Sequence, residues 1–173
     1  MFPISQEKVR VKERESGTVP HSPYELAIKL RKEFIDLQMH GKVVVRDEDR
    51  EWFLTRQGRL KFYLNPVTYN DHALRDWGVF KHDILNHTGK HNHQGGLVIF
   101  VLEGTGYSVV NGERIDWEAG DLILLPLLPE GCDHQHFNLD QEKGCKWIAF
   151  SYYPQREEVA NVLTQKENSP QFG

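Results

Sequence analysis

The sequence is poor in cysteine, in long apolar runs and in excess positive charge, and each shortage removes a class of protein. Two cysteines, Cys132 and Cys145, in 173 residues cannot build the disulfide framework of a small secreted scaffold. They read as ordinary half-buried thiols, with Cys132 placed for a supporting role two residues before His134. No apolar stretch reaches the ~20 residues that span a bilayer. Residues 1–8 lack the charged segment and apolar core of a secretory signal. A reduced, cytoplasmic protein is the expectation. With 21 Lys and Arg against 25 Asp and Glu, the net charge is −4. That balance gives no reason to expect nucleic acid or an anionic membrane as a partner. Repeats and low-complexity segments are missing as well. A single domain of this size buries about 70% of its unfolded surface.

What is present is histidine in pairs. His91 and His93 form a His-x-His unit, and forty-one residues after His93 a second unit follows, His134 and His136. In a β-strand, residues i and i+2 point to the same side, so each unit puts two imidazoles on one face. Imidazole is the commonest ligand for divalent first-row metals, and three or four converging rings make a metal site. Two such pairs are hard to explain as structural histidines alone. His82 and His87 precede the first pair and read as surface or supporting residues. His21, His40 and His72 carry no signal.

The surrounding chain reads as strand and turn after one helix. Ser22, Pro23 and Glu25 mark a helix start, with a Ser cap, Pro at the first helical position and a Ser-x-x-Glu capping box. Ala27, Leu30, Phe34 and Leu37 recur at spacings of three and four, and Gly41 is placed to end the helix. The stripe is expected to pack on the outside of a sheet or against a partner subunit. From Lys42 the period becomes that of strands: residues 43–45, 52–54, 60–64 after a Gln57-Gly58 turn, 77–80, 97–102, 107–110, 122–125, 134–138 and 147–150. Asn111-Gly112 is a hairpin turn. Many short strands with Gly-rich turns imply an antiparallel sandwich or barrel of the jelly-roll kind. The fold class is therefore all-β with an N-terminal helix. Residues 1–41 are expected to be a loose arm and that helix, 42–154 the barrel, and 155–173 a tail with a short helix through Val159, Val162 and Leu163.

The segments around both pairs resemble the two motifs of the cupin superfamily. In the first, His91-Asn92-His93 is followed by Gln94-Gly95-Gly96, residues 97–102, Glu103 and Gly104; in the second, Pro129, Gly131, His134 and Asn138 fill the places of Pro-x-Gly, His and Asn. The resemblance covers roughly residues 85–151 and implies a cupin double-stranded β-helix, a jelly-roll barrel, with His91, His93 and His134 as metal ligands. The pattern departs from the family at three places. The glycine that often opens the first motif falls at Leu85, with Gly89 shifted from it. Gly120 is correctly spaced from Pro126, but Pro-x-Gly comes three residues later at Pro129, which implies a short insertion. Leu97 stands where many cupins carry a glutamate ligand, and Glu103 is off phase with His91, His93 and Leu97, so it should point outward.

The resemblance thus implies a three-histidine site. Three neutral imidazoles leave a divalent metal its full charge, which favours an anionic, bidentate small molecule. Among three-histidine cupins the chain resembles the gentisate and salicylate ring-cleaving dioxygenases, which implies Fe(II), with Zn, Mn or Ni as alternatives. It also implies that His136 contacts substrate or dioxygen as the catalytic acid–base group, its ordinary pKa lying near neutrality. A fourth ligand or a structural hydrogen bond are the other readings of His136. Single-domain diketone-cleaving dioxygenases fit the length better than the ring-cleaving enzymes, which are about twice as long. The expected function is an Fe(II) dioxygenase that cleaves a C–C bond in a small aromatic or dicarbonyl substrate. A non-redox isomerase, lyase or hydrolase, or a sensory module without catalysis, are the alternatives. The resemblance implies a homodimer. Asn138 is expected to fix the metal strand and Ile99 and Val101 to line pocket or core; Arg46, Arg59 and Lys61 are candidate cations for an anionic substrate, though a solvated strand face is the expected role of each.

Overall fold

The computed structural model describes residues 22–140 and 142–173, so the expected arm over residues 1–21 lies outside it. Helix α1 (Pro23–His40) opens the described chain and a 3-10 turn spans Asp47–Asp49. Ten strands follow: β1 (Trp52–Thr55), β2 (Gly58–Leu64), β3 (Trp77–Ile84), β4 (Lys90–His93), β5 (Leu97–Glu103), β6 (Thr105–Val110), β7 (Glu113–Glu118), β8 (Leu122–Leu125), β9 (Cys132–Asn138) and β10 (Cys145–Tyr152). Helix α2 (Tyr153–Glu158) and strand β11 (Thr164–Glu167) close the molecule. One sheet has the order β1-β2-β3-β10-β5-β8, the other β11-β4-β9-β6-β7. Every pairing within them is antiparallel.

Alternation explains how the two sheets meet. Along β5 the odd residues Leu97, Ile99 and Val101 are buried, and Val98, Phe100 and Leu102 are exposed. On β10, Cys145, Trp147, Ala149 and Ser151 point inward. Cys145, Trp147 and Ala149 pack with Ile84, Ile123 and Leu125 of their own sheet against Val110, Trp117 and Cys132 of the other. Ile99 and Val101 therefore belong to the core, as does the thiol of each cysteine. The β6–β7 hairpin turns through Asn111 and Gly112, both at positive φ. Asn-Gly accepts that conformation with little steric penalty.

Several local expectations need correcting. Ser22 makes no side-chain bond at the start of α1, so the capping box does not form. No residue of α1 is buried, and Ala27, Leu30 and Phe34 line an open cleft of about 980 Å³. The run Val43-Val44-Val45 is not a strand: only Lys42 bridges to His72, and Val43 is 89% exposed. Its β-branched side chains have no neighbouring strand to pair with. The polar stretch expected as a tail contains β11, which extends the second sheet beside β4. An edge strand needs backbone partners rather than an apolar face, so alternation gives it no signature.

Candidate metal centre

The two histidine pairs meet because β4 and β9 are hydrogen-bonded neighbours. In their register His91 stands opposite His134, Asn92 opposite Asp133, and His93 opposite Cys132. Odd residues of β4 and even residues of β9 thus share the inner face. The outer face fixes that register: Asn92 Nδ2 donates to Asp133 Oδ1 at 2.8 Å, and Lys166 of β11 pairs with Asp133 at 2.6 Å. Gly131, at φ +90°, opens β9; a Cβ there would collide with Asn92 Oδ1. At the far end of β9, Asn138 Nδ2 donates to the carbonyls of Leu85 and Lys143, both at 2.8 Å, which ties the strand to the end of β3. The inserted segment folds back on the β4–β5 turn, with the Leu128 amide donating to Gln94 O at 2.9 Å.

His91, His93 and His134 converge. Their ligand atoms lie within 4.8 Å of one another and all three rings are buried. Ring centroids are 4.1 Å apart for His91–His134, 4.7 Å for His93–His134 and 5.5 Å for His91–His93. His91 Nδ1 donates to Gly89 O at 3.2 Å and His134 Nδ1 to Cys132 O at 2.8 Å. A carbonyl can only accept, so each of these rings keeps its proton on Nδ1 and offers the Nε2 lone pair, the arrangement metal-bound histidines use. Cys132 thus supports the site through its carbonyl. His93 differs, because its Nδ1 accepts from the Gly95 amide at 2.9 Å. Its neutral ring holds the proton on Nε2 in this arrangement, so ligation through Nε2 requires the other tautomer, with the proton on Nδ1 and the Gly95 contact given up.

The site favours neutral rings. Burial pushes His93 down to about 4, with help from His91 and Arg156. Burial also lowers His91 and drives His134 well below its ordinary value, the neighbouring His91, His136 and His93 adding to the effect on His134. Neutral imidazole is the form that binds metal. The donor set, three uncharged nitrogens in one buried cluster, fits a divalent cation.

Leu97 and Glu103 fall where strand phase puts them. Leu97 is buried and shares the wall of a cavity of about 690 Å³ with His91 and His93. Glu103 points outward and pairs with Lys146 at 2.6 Å. His136 lies deeper, outside the three-residue cluster and the cavity wall. Its Nδ1 is 2.6 Å from Ser108 Oγ, which accepts from Trp117 Nε1 at 2.9 Å, and its ring sits 5.2 Å from Trp147. Burial holds it well below its ordinary pKa, with His91, His82 and His93 contributing. His82 faces the interior, edge-on to Trp147 at 4.8 Å, and burial lowers it to about 3. His87 lies apart from the cluster, its Nδ1 2.9 Å from Thr88 O. None of the three candidate cations reaches the cavity. Lys61 pairs with Asp47 and Arg59 with Asp83, each at 2.6 Å, on the opposite face of β2, and Arg46 is exposed beside the 3-10 turn. The cavity's cations are Arg56, in the β1–β2 turn, and Arg156, on α2.

Residues 86–151 match the family model of the cupin domain. This stretch of the chain is similar to a cupin domain. The fold agrees with that of solved structures. Salicylate 1,2-dioxygenase from Pseudoaminobacter salicylatoxidans, with gentisate adducts, superposes with a TM-score of 0.52 at 20% identity, over 79% of this chain and 35% of that one. The present chain thus spans about a third of that enzyme's length. Streptomyces Pac13 with uridine superposes with a TM-score of 0.51 at 14% identity, over 75% of this chain and 95% of that one; Pac13 is described as a nucleoside dehydratase. At these identities the similarity is one of fold. No curated protein matches the chain. Among the described residues, no helix is long and apolar enough to cross a membrane.

Proposed function

We propose that this cupin binds a divalent metal through His91, His93 and His134 and acts as an Fe(II) dioxygenase that cleaves a C–C bond in a small aromatic or dicarbonyl substrate. The observation that carries the reading is the convergence of three buried, neutral imidazoles within 4.8 Å beside a leucine where a carboxylate ligand would stand. A bound divalent metal would keep its +2 charge there and would supply Lewis acidity and, as Fe(II), a centre through which substrate electrons pass to dioxygen. The chain's own part is to hold the three rings in register, to keep them unprotonated, and to cover one side with apolar residues that exclude water. Leu60, Phe62, Phe80 and Leu97 line the cavity beside His91 and His93 and suit the body of a small planar molecule. The resemblance gives His136 a contact with substrate or dioxygen; its place behind the cavity wall, packed 5.5 Å from His134, supports a positioning role instead. The homodimer is likewise proposed, on the exposed apolar rows Val98, Phe100 and Leu102 of β5 and Leu122 and Leu124 of β8.

The non-redox reading, an isomerase or lyase, uses the same three ligands, and the length match with the nucleoside dehydratase is the observation on its side. One experiment separates the readings: elemental analysis of anaerobically purified protein, with oxygen uptake followed on adding gentisate, salicylate or acetylacetone. A dioxygenase gives about one iron per chain and substrate-dependent oxygen consumption, with iron lost in His134→Ala. Zinc, manganese or nickel without oxygen uptake selects the Lewis-acid reading. A protein that takes up no metal overturns both and leaves a binding module.

A further inference from the structure

The cavity holds polar groups that the histidine cluster does not account for, and three of them come from one place. Ser151, Tyr153 and Arg156, at the junction of β10 and α2, all line it. Ser151 is 2% exposed and its Oγ has no hydrogen-bond partner. Its sheet neighbours are Gly78 on one side and Leu97 on the other, neither with a polar side chain to offer. A buried hydroxyl left unpaired is costly, so such a group in a cavity wall marks a place for a ligand atom.

Arg156 is half-buried at the same cavity, with its guanidinium 5.5 Å from the Tyr153 ring. Four cations on or beside the sheet that walls the cavity are matched by carboxylates, Arg50 by Asp71, Arg59 by Asp83, and Lys61 and Lys81 by Asp47. No ion pair among the described residues involves Arg156 or Arg56. The remaining wall is mixed: Leu60, Phe62, Phe80 and Leu97 give it an apolar side, and Thr55, Gln57, Asn65, Thr164 and Gln165 a polar rim. We propose that Arg156 and Ser151 form a carboxylate subsite that works without metal, so that the cavity takes small carboxylic acids with an apolar body. One fork of guanidinium donors plus one hydroxyl suits a flat, singly charged carboxylate, which an arginine grips bidentately. This rests on the metal-site reading only in placing the ligand's other end toward His91 and His93.

The test uses benzoate, which carries the carboxylate but lacks a second chelating oxygen, and benzamide, its neutral counterpart. Binding to the full-length protein is measured by calorimetry, as purified and after chelator treatment. Benzoate is expected to bind both preparations. Arg156→Gln weakens it roughly tenfold or more, the loss expected for a charge-assisted hydrogen bond. Arg156→Lys retains part of the affinity, Ser151→Ala loses a smaller part, and benzamide binding does not change. Circular dichroism melts confirm that each variant is folded, and the Lys variant carries the comparison if the Gln variant is not. Equal benzoate affinity in the wild type and Arg156→Gln overturns the subsite, as does a chelated protein that ignores benzoate. Phenyl phosphate binding more tightly than benzoate overturns the choice of carboxylate. Benzoate binding kept in a protein that takes up no metal leaves the subsite standing and removes the metal reading alone.

Discussion

Acidifying the metal-free protein from about pH 7.5 to about pH 5 is expected to remove about 4 kcal/mol of folding stability through two buried histidines alone. Burial lowers His82 from 6.5 to about 3, and burial with neighbouring charge lowers His93 from 6.5 to about 4. Both folded values lie below the unfolded one, so the unfolded chain binds more protons. Stability is complete above the unfolded pKa and falls as the pH drops from there toward the folded values. At about pH 5 each ring has forgone roughly 1.5 pH units at ~1.4 kcal/mol per unit, about 2 kcal/mol apiece. Against a total of about 5–15 kcal/mol that is a large fraction. His91, His134 and His136 are lowered too and add in the same direction. Carboxylates do not confuse this window, because Asp47, Asp71 and Asp133 are lowered from 3.8 and their contributions are lost only as the pH falls below that value. Urea denaturation of the chelator-treated protein reads the effect as a midpoint about 2 M lower at the acid pH, for a slope of about 2 kcal/mol/M. His82→Phe should flatten the pH dependence even if it lowers stability at neutral pH. An unchanged urea midpoint between the two pH values would refute the reasoning.

Two further outcomes test the shells around the site. Ser108→Ala strips the acceptor from Trp117 Nε1 and the partner from His136 Nδ1, both buried. It should cost about 2–4 kcal/mol at neutral pH by chemical denaturation, and a loss under about 0.5 kcal/mol would show the chain of bonds to be dispensable. Leu97→Glu sets a carboxylate in the cavity wall beside His91 and His93. By attraction it should tighten zinc binding roughly tenfold or more in chelator competition, and weaker binding would argue that residue 97 does not face the ligands.

Much of the architecture was legible because strand alternation is a direct record of which side of a sheet is wet. Leu97, Ile99 and Val101 announce the inner face of β5, and the same phase puts Glu103 outside. The pairs His91–His93 and His134–His136 were legible for the same reason; that His91 stands opposite His134 is a matter of strand pairing, which spacing alone does not give. The place of Arg59 and Lys61 away from the cavity had a readable signal. Leu60, Phe62 and Leu64 alternate along β2 and claim its inner face, so Arg59 and Lys61 had to face outward. Arg156 had none, since only the fold brings it to the cavity wall that His91 and His93 share. The capping box failed although its letters were present, because the Ser22 hydroxyl makes no bond to the α1 amides. β11 escaped because an edge strand of Thr, Gln, Lys and Glu is held by its backbone and looks like any polar tail.

The pairing of β4 with β9 also bears on who chooses the metal. The three rings are gathered by backbone hydrogen bonds and by the Asn92–Asp133–Lys166 clamp on the outer face, not by the ion they would hold. A ready-made nest of uncharged nitrogens follows the general affinity order of divalent metals, in which copper, nickel and zinc outbid iron. Discrimination then passes from the protein to its surroundings, and the occupant of the site reports which ion is abundant and available where the chain folds. Under the proposed metal-dependent function, metal supply would be a control on this domain, exercised without any change in the polypeptide.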